Sequence, residues 1–265
     1  MPTPPPPSTP PTPPTPAPQG QPDFAQRAQR LKADLIEQAR RVQALSEAAF
    51  EAVFTRNKPL ADRVPQLDDV IDRADVAIEK ASVALLLDAT AAHATITEAN
   101  LRLILTIVKI NNELERIADV GVDLAALTRP NLPNAAPHPA FPDTFRVMAN
   151  SVIGILRDVS QALLHDDPVL AKVVLQSQHT VTAFKDALLR DAEEKISKSA
   201  MPLEFAFQLH EIAGLCEIVA DHSTNIAEQI IYLTTGAIVR HEATSWVEVP
   251  SAPNAGGTSP AANKP

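Results

Sequence analysis

Residues 101–127 read LRLILTIVKINNELERIADVGVDLAAL. Leu103, Ile107, Ile110, Leu114 and Ile117 recur at steps of three and four, which is the period of one buried helical face. The spacing predicts a long helix over residues 95–128, ended by Pro130. Arg102, Lys109, Glu113 and Glu115 interrupt the apolar residues, so the segment is an amphipathic core helix and not a membrane span. No run of eighteen apolar residues occurs elsewhere in the chain.

The composition extends that reading to the whole chain. Of 265 residues, 45% are apolar but only 4% are aromatic, so the core must be built mainly from Ala, Leu, Ile and Val. A β-sandwich or barrel would need more aromatic and β-branched packing, and more turns than 7 glycines supply. The 25 prolines are concentrated, with 12 in residues 1–22, five in 129–142 and four in 250–265. The body between is Pro-poor and Ala-rich, a helical composition. With 23 basic against 32 acidic residues the net charge is −9, and no dense Lys/Arg stripe appears, which argues against nucleic acid as the ligand. Cys216 is the single cysteine, so no intrachain disulfide can form and a reducing compartment fits. The N-terminus lacks a charged region followed by an apolar one, so neither signal peptide nor anchor is expected, and the expected location is cytoplasmic.

Six helical segments are predicted. The first covers residues 24–54, with Leu31, Leu35, Ala39, Val42, Leu45 and Ala49 on its inner face. Asn57 and Pro59 open the second, which Pro65 should kink or break before it runs on to residue 87. The third is the helix quoted above. The fourth covers 143–164; Asp166 and Asp167 before Pro168 start the fifth, which ends near 199. Pro202 opens the sixth and Gly236 follows its end. Residues 1–22 and 243–265 are expected to be disordered Pro-rich tails.

The six segments form two copies of one unit. A shift of 102 residues lays Glu115-x-Ile-Ala-Asp119 on Glu217-x-Val-Ala-Asp221, and Leu124-Ala125 on Ile226-Ala227. A shift of 110 lays Leu60-Ala61-x-x-Val64 on Leu170-Ala171-x-x-Val174. The predicted fold is therefore all-α, two tandem three-helix bundles over residues 23–128 and 143–242, each with its own core, joined by a linker at 129–142.

The repeat also duplicates a pattern of acids. Glu115, Asp119 and Asp123 lie within about 80° on one helix face, flanking the core stripe at about 100° from Leu114. Like charges at this spacing repel, so a bound cation or nearby lysines must offset them. Glu217, Asp221, Asn225 and Glu228 repeat the stripe within about 80°, and His210 two turns earlier shares its face. Such oxygen-rich sets suit Mg²⁺, Mn²⁺ or iron, and an added imidazole favours iron or zinc. Cys216 sits toward the apolar side and reads as a core thiol. His222 and His241 read as surface or capping residues, and Tyr232 packs at the end of the sixth helix. No nucleophile–base pair, Gly-rich phosphate loop or Walker-type motif is visible, which leaves phosphate binding by the chain itself unsupported.

Leu114-Glu115-Arg116-Ile117-Ala118-Asp119 and Glu217 to Glu228 resemble the paired E-x-x-x-D signatures of the PhoU family. Leu101-Arg102-Leu103 with Lys109 resembles that family's lead-in, and Ile231-Tyr232 through Gly236 to Arg240-His241 its closing segment. Ile218 and Val219 stand where the family usually has Arg and Ile. The resemblance implies two three-helix bundles with multinuclear metal clusters on one face, at Glu115, Asp119, Asp123, Glu217, Asp221, Asn225 and Glu228. In the first copy Asp68, Asp69, Asp72, Asp75 and Glu79 add partner carboxylates; the second copy places Gln178, His179, Thr182, Lys185 and Leu189 there. It further implies a non-enzymatic negative regulator of the phosphate-starvation response and phosphate uptake. Such a protein would be a homodimeric adaptor between the ABC-type phosphate transporter ATPase and a sensor histidine kinase, touching the membrane only through partners. Two alternatives stand beside it. One is an accessory subunit of another phosphate transporter without a kinase partner; the other is a di-iron helical enzyme, against which counts the lack of a Glu-x-x-His pair in the stripes.

Overall fold

A computed structural model describes residues 24–128, 139–242 and 245–249, with the side chains of 241–242 and 245–249 left undescribed. The predicted tail at 1–22, most of the linker and the end of the chain from 250 lie outside these residues.

Helix α1 (Phe24–Thr55) buries all six inner-face residues the periodicity selects. The second predicted segment is broken, not kinked. Asn57 accepts a hydrogen bond from the Leu60 N–H at 3.0 Å and caps the single turn α2 (Lys58–Ala61); Pro65 then occupies the first turn of α3 (Val64–Ala91). Proline is tolerated there because the first-turn N–H groups have no intrahelical partner. The Thr97 hydroxyl caps α4 (Glu98–Ala126), accepting from Asn100 N–H at 3.2 Å.

The second copy follows with α5 (Asp143–His165), α6 (Pro168–Ser197) and α7 (Leu203–Thr235). The two aspartates before Pro168 divide their work. Asp166 ends α5 with φ 52° and binds Lys32 through its carboxylate, while Asp167 caps α6 by accepting from Val169 and Leu170 N–H at 2.8 and 3.0 Å. Gly236 closes α7 at φ 76°, and a Cβ there would also meet the Arg102 guanidinium. That guanidinium lies 5.5 Å from the Tyr232 ring, at the end of α7.

The chain then forms a hairpin, β1 (Ile238–Glu242) paired antiparallel with β2 (Ser245–Val249), in the register His241 opposite Trp246. Residues 245–249 of the stretch expected to be a loose end are thus a strand. Trp246, Val247 and Val249 carry strand propensity that proline content alone obscures.

Helices α1, α3 and α4 make one bundle and α5, α6 and α7 the other; α4 lies along α7, and α1 also touches α5. Their buried side chains form one continuous core rather than the two expected. The linker's end belongs to it. Phe141 meets Phe54 of α1 edge-on at 5.8 Å and packs at a tilt 5.1 Å from Phe145 of α5 and 5.6 Å from Phe205 of α7. Cys216 is fully buried, and burial pushes its thiol pKa up. Among the described residues no helix is long and apolar enough to cross a membrane.

Gly121 of α4 lies directly against Leu45 of α1. A Cβ at this position would lie 2.2 Å from Cδ2 of Leu45, itself fully buried. Mid-helix glycine costs about 1 kcal/mol relative to alanine, so a packing reason of this kind explains it. Gly121→Val should therefore lower stability by about 1–3 kcal/mol in urea unfolding, and Leu45→Ala in the same chain should recover part of the loss.

Candidate metal centre

Helix α4 occupies the middle of the molecule, and its acids leave the core stripe on both sides. Glu115 lies about +100° and Glu113 about −100° from Leu114, so one faces α3 and the other faces α7.

On the α3 side the structure gathers Asp68, Asp72 and Asp75 from α3 with Glu115 and Asp119 from α4. Asn111 of α4 fixes the register, donating through Nδ2 to the Asp75 carbonyl at 3.1 Å and to Asp75 Oδ1 at 2.6 Å. Asp68 is held at a pKa of about 6, first by burial and then by the charges of Asp72, Asp119 and Asp69. Its Oδ1 is buried without a hydrogen-bond partner. Burial also raises Asp75, together with Glu79 and Asp72. Glu115 rises for the same reasons, through burial and then Asp119, Asp75 and Asp72, against a small opposing pull from Arg116. Asp119 is exposed, and Asp123 is exposed one turn beyond it. Among the described residues none of these acids forms an ion pair.

The α7 stripe is differently furnished. Lys185 of α6 is ion-paired with Glu217 at 2.5 Å, and Thr182 donates to the same carboxylate at 3.1 Å. Gln178 donates through Nε2 to Asp221. Asn225 turns to α4 and donates to Glu113 at 3.1 Å. Glu228 is buried, and Arg240 from β1 meets it at 2.9 Å. Lys109, Glu113, Gln178, Asp221, Glu228 and Arg240 line an open groove of about 640 Å³ between α4 and α7. His210 is exposed.

The contact between Glu113 and His222 escapes sequence reasoning and corrects the surface role read for the histidine. Glu113 Oε2 lies 2.7 Å from His222 Nδ1, and both side chains are largely buried between the bundles. Burial works to raise the Glu113 pKa, but the hydrogen bonds from His222 and Asn225, together with the charges of His222 and Arg116, hold the carboxyl below its ordinary value. The available signal was the position of Glu113 opposite Glu115 about the core stripe, which becomes informative once a second bundle is known to pack there.

Among the described residues no three His, Cys, Asp or Glu side chains converge tightly enough to hold a metal ion as placed. The α3–α4 face nevertheless fits a hard cation in its chemistry. It offers only oxygen donors, one of them buried and unpartnered, and among the described residues no protein cation is ion-paired with them.

A family model described as the PhoU domain matches the chain twice, at residues 35–128 and 145–230. The chain is 29% identical over 213 residues to the "Phosphate-specific transport system accessory protein PhoU homolog" of Aquifex aeolicus, covering 80% of this chain and 92% of that one. It is 27% identical over 206 residues to PhoU homolog 1 of Thermotoga maritima, a protein of the same description, covering 78% and 86% of the two chains. The crystal structure of PhoU from Pseudomonas aeruginosa superposes with a TM-score of 0.72 at 24% identity, over 81% of this chain and all of that one. PhoU from Streptococcus pneumoniae gives 0.71 at 22% identity, over 82% and 100%. These two establish the shared helical fold.

Proposed function

The chain belongs to the PhoU domain family, and from that premise we propose that it is a cytoplasmic accessory protein of a phosphate-specific transport system. On this reading it restrains phosphate uptake and the phosphate-starvation response by bridging the transporter ATPase and a sensor histidine kinase. No bond is made or broken. The bridge acts by binding the restraining conformations of its partners more tightly than the others, which is all that a non-catalytic adaptor can use.

The acidic face between α3 and α4 is the observation that carries the site. Asp68, Asp72, Asp75, Glu115 and Asp119 would hold a cation of the Mg²⁺, Mn²⁺ or iron type there. A bound divalent ion would neutralise the repulsion and tie α3 to α4. The chain's own contribution is to fix the donors: Asn111 orients Asp75, and the α4 core stripe sets Glu115 and Asp119 on the outward flank.

The test is a phosphate-starvation reporter in cells deleted for the gene and grown in abundant phosphate. Output should be high, restored to low by the intact chain and left high by Asp119→Ala. An unchanged reporter on deletion would sink the regulatory reading and turn attention to uptake alone. Full restoration by Asp119→Ala would separate regulation from the acidic face.

A further inference from the structure

We propose that the second repeat carries its cation built in: the ammonium group of Lys185 neutralises Glu217, and the chain takes up metal at its first repeat only. This rests on the metal reading of the α3–α4 face.

The argument is a residue-by-residue comparison of the two faces. The shift of 110 that relates α3 to α6 lays Gln178 on Asp68, Thr182 on Asp72 and Lys185 on Asp75. The shift of 102 that relates α4 to α7 lays Glu217 on Glu115 and Asp221 on Asp119. The contacts obey both shifts at once. Asp119 bears on Asp68, and Gln178 donates to Asp221. Asp72 and Asp75 bear on Glu115, while Thr182 and Lys185 bind Glu217. The second face thus keeps the geometry of the first and exchanges each α3-type carboxylate for a donor.

Five carboxylates face one another at the first site, and among the described residues no base is ion-paired with them. The second has two carboxylates, an ammonium, an amide and a hydroxyl. A divalent ion gains much from the first set. At the second it would have to expel Lys185, whose charge already neutralises the carboxylate and whose side chain is only 23% exposed. Metal uptake demands ionised, available ligands, and here the ligands are taken.

The full chain, stripped with chelator and reloaded with Mn²⁺ alone, provides the test, with bound manganese counted by native mass spectrometry. Glu217→Gln and Asp221→Asn should leave the count at the wild-type value, while Asp68→Asn with Asp119→Asn should abolish it. Restoring the first-repeat pattern with Gln178→Asp, Thr182→Asp and Lys185→Asp together should double it. Loss of manganese in Glu217→Gln or Asp221→Asn would overturn the proposal. If the wild type takes up none, the metal reading of the first face fails, and the built-in cation is judged without metal. Urea midpoints of Lys185→Met, Glu217→Gln and the double variant in chelator should then show the double shifting by less than the two singles together. Additive shifts would overturn it.

Discussion

Phe145→Ala should cost about 3–5 kcal/mol and destabilise both bundles together. Phe145 is fully buried at the first turn of α5, with its ring 5.0 Å from Phe54 and 5.1 Å from Phe141. Deleting the ring removes its transfer free energy and leaves a cavity. The surrounding groups cannot close it readily, because Phe54 and Phe141 are each also held from outside by an arginine, Arg146 at 4.4 Å and Arg56 at 4.9 Å from the ring centres. The cluster joins α1, the linker end, α5 and α7, and the core runs through it without a break. Circular dichroism in urea should therefore show one transition, displaced as a whole. Hydrogen exchange should show peptides from α4 and α6 losing protection by the same amount. A variant in which only the second bundle loosens would mean that the repeats are energetically separate despite their shared core.

Much of this architecture was legible because each signal was local. Prolines at 59, 65, 168 and 202 mark helix starts by their own covalent geometry, and the 3–4 spacing of Leu103 to Ile117 names the buried face of α4. The doubled E-x-x-x-D pattern led to the α3–α4 acids, and the structure groups Asp68, Asp72 and Asp75 with Glu115 and Asp119. What stayed hidden depends on which elements meet. Glu113 and His222 are 109 positions apart and come together only because α4 lies along α7. Gly121 looks like a weak point in a helix until Leu45 is found against it. The continuity of the core was equally invisible, since a periodic helix face does not say how many neighbours share it.

The two flanks of α4 also explain why one helix can serve both stability and ligand chemistry. Glu113, on the α7 flank, is satisfied by His222 and Asn225 and helps close the junction between bundles. Glu115, two residues away on the α3 flank, meets only other acids and Arg116. One is kept ionised by its partners and the other is pushed toward its neutral form. The difference comes from the neighbouring helix and not from the local sequence.

That difference gives the chain an unusual pH dependence. The metal-free protein should become more stable as the pH is lowered from 7 to 5. Asp68 rises from 3.8 to about 6 on folding, through burial and then Asp72, Asp119 and Asp69, so between those values the folded chain holds a proton that the unfolded chain lacks. Protonation in that interval favours the folded state; the contribution is full below 3.8 and is lost as the pH rises through about 6. Asp75 and Glu115 shift in the same direction. Glu113 has the opposite sign, but its contribution is present above 4.5 and is lost only as the pH falls below that, outside the interval. Urea midpoints measured in chelator should thus be higher at pH 5 than at pH 7, and Asp119→Asn should flatten the profile by removing one of the charges that raise Asp68. Saturating Mn²⁺ should reverse the slope, because the ion needs ionised carboxylates, and its affinity should fall about tenfold per pH unit for each proton it must displace. A midpoint that rises from pH 5 to 7 in chelator would show that the α3–α4 acids are screened well enough to need no cation, and the metal reading would lose its physical basis.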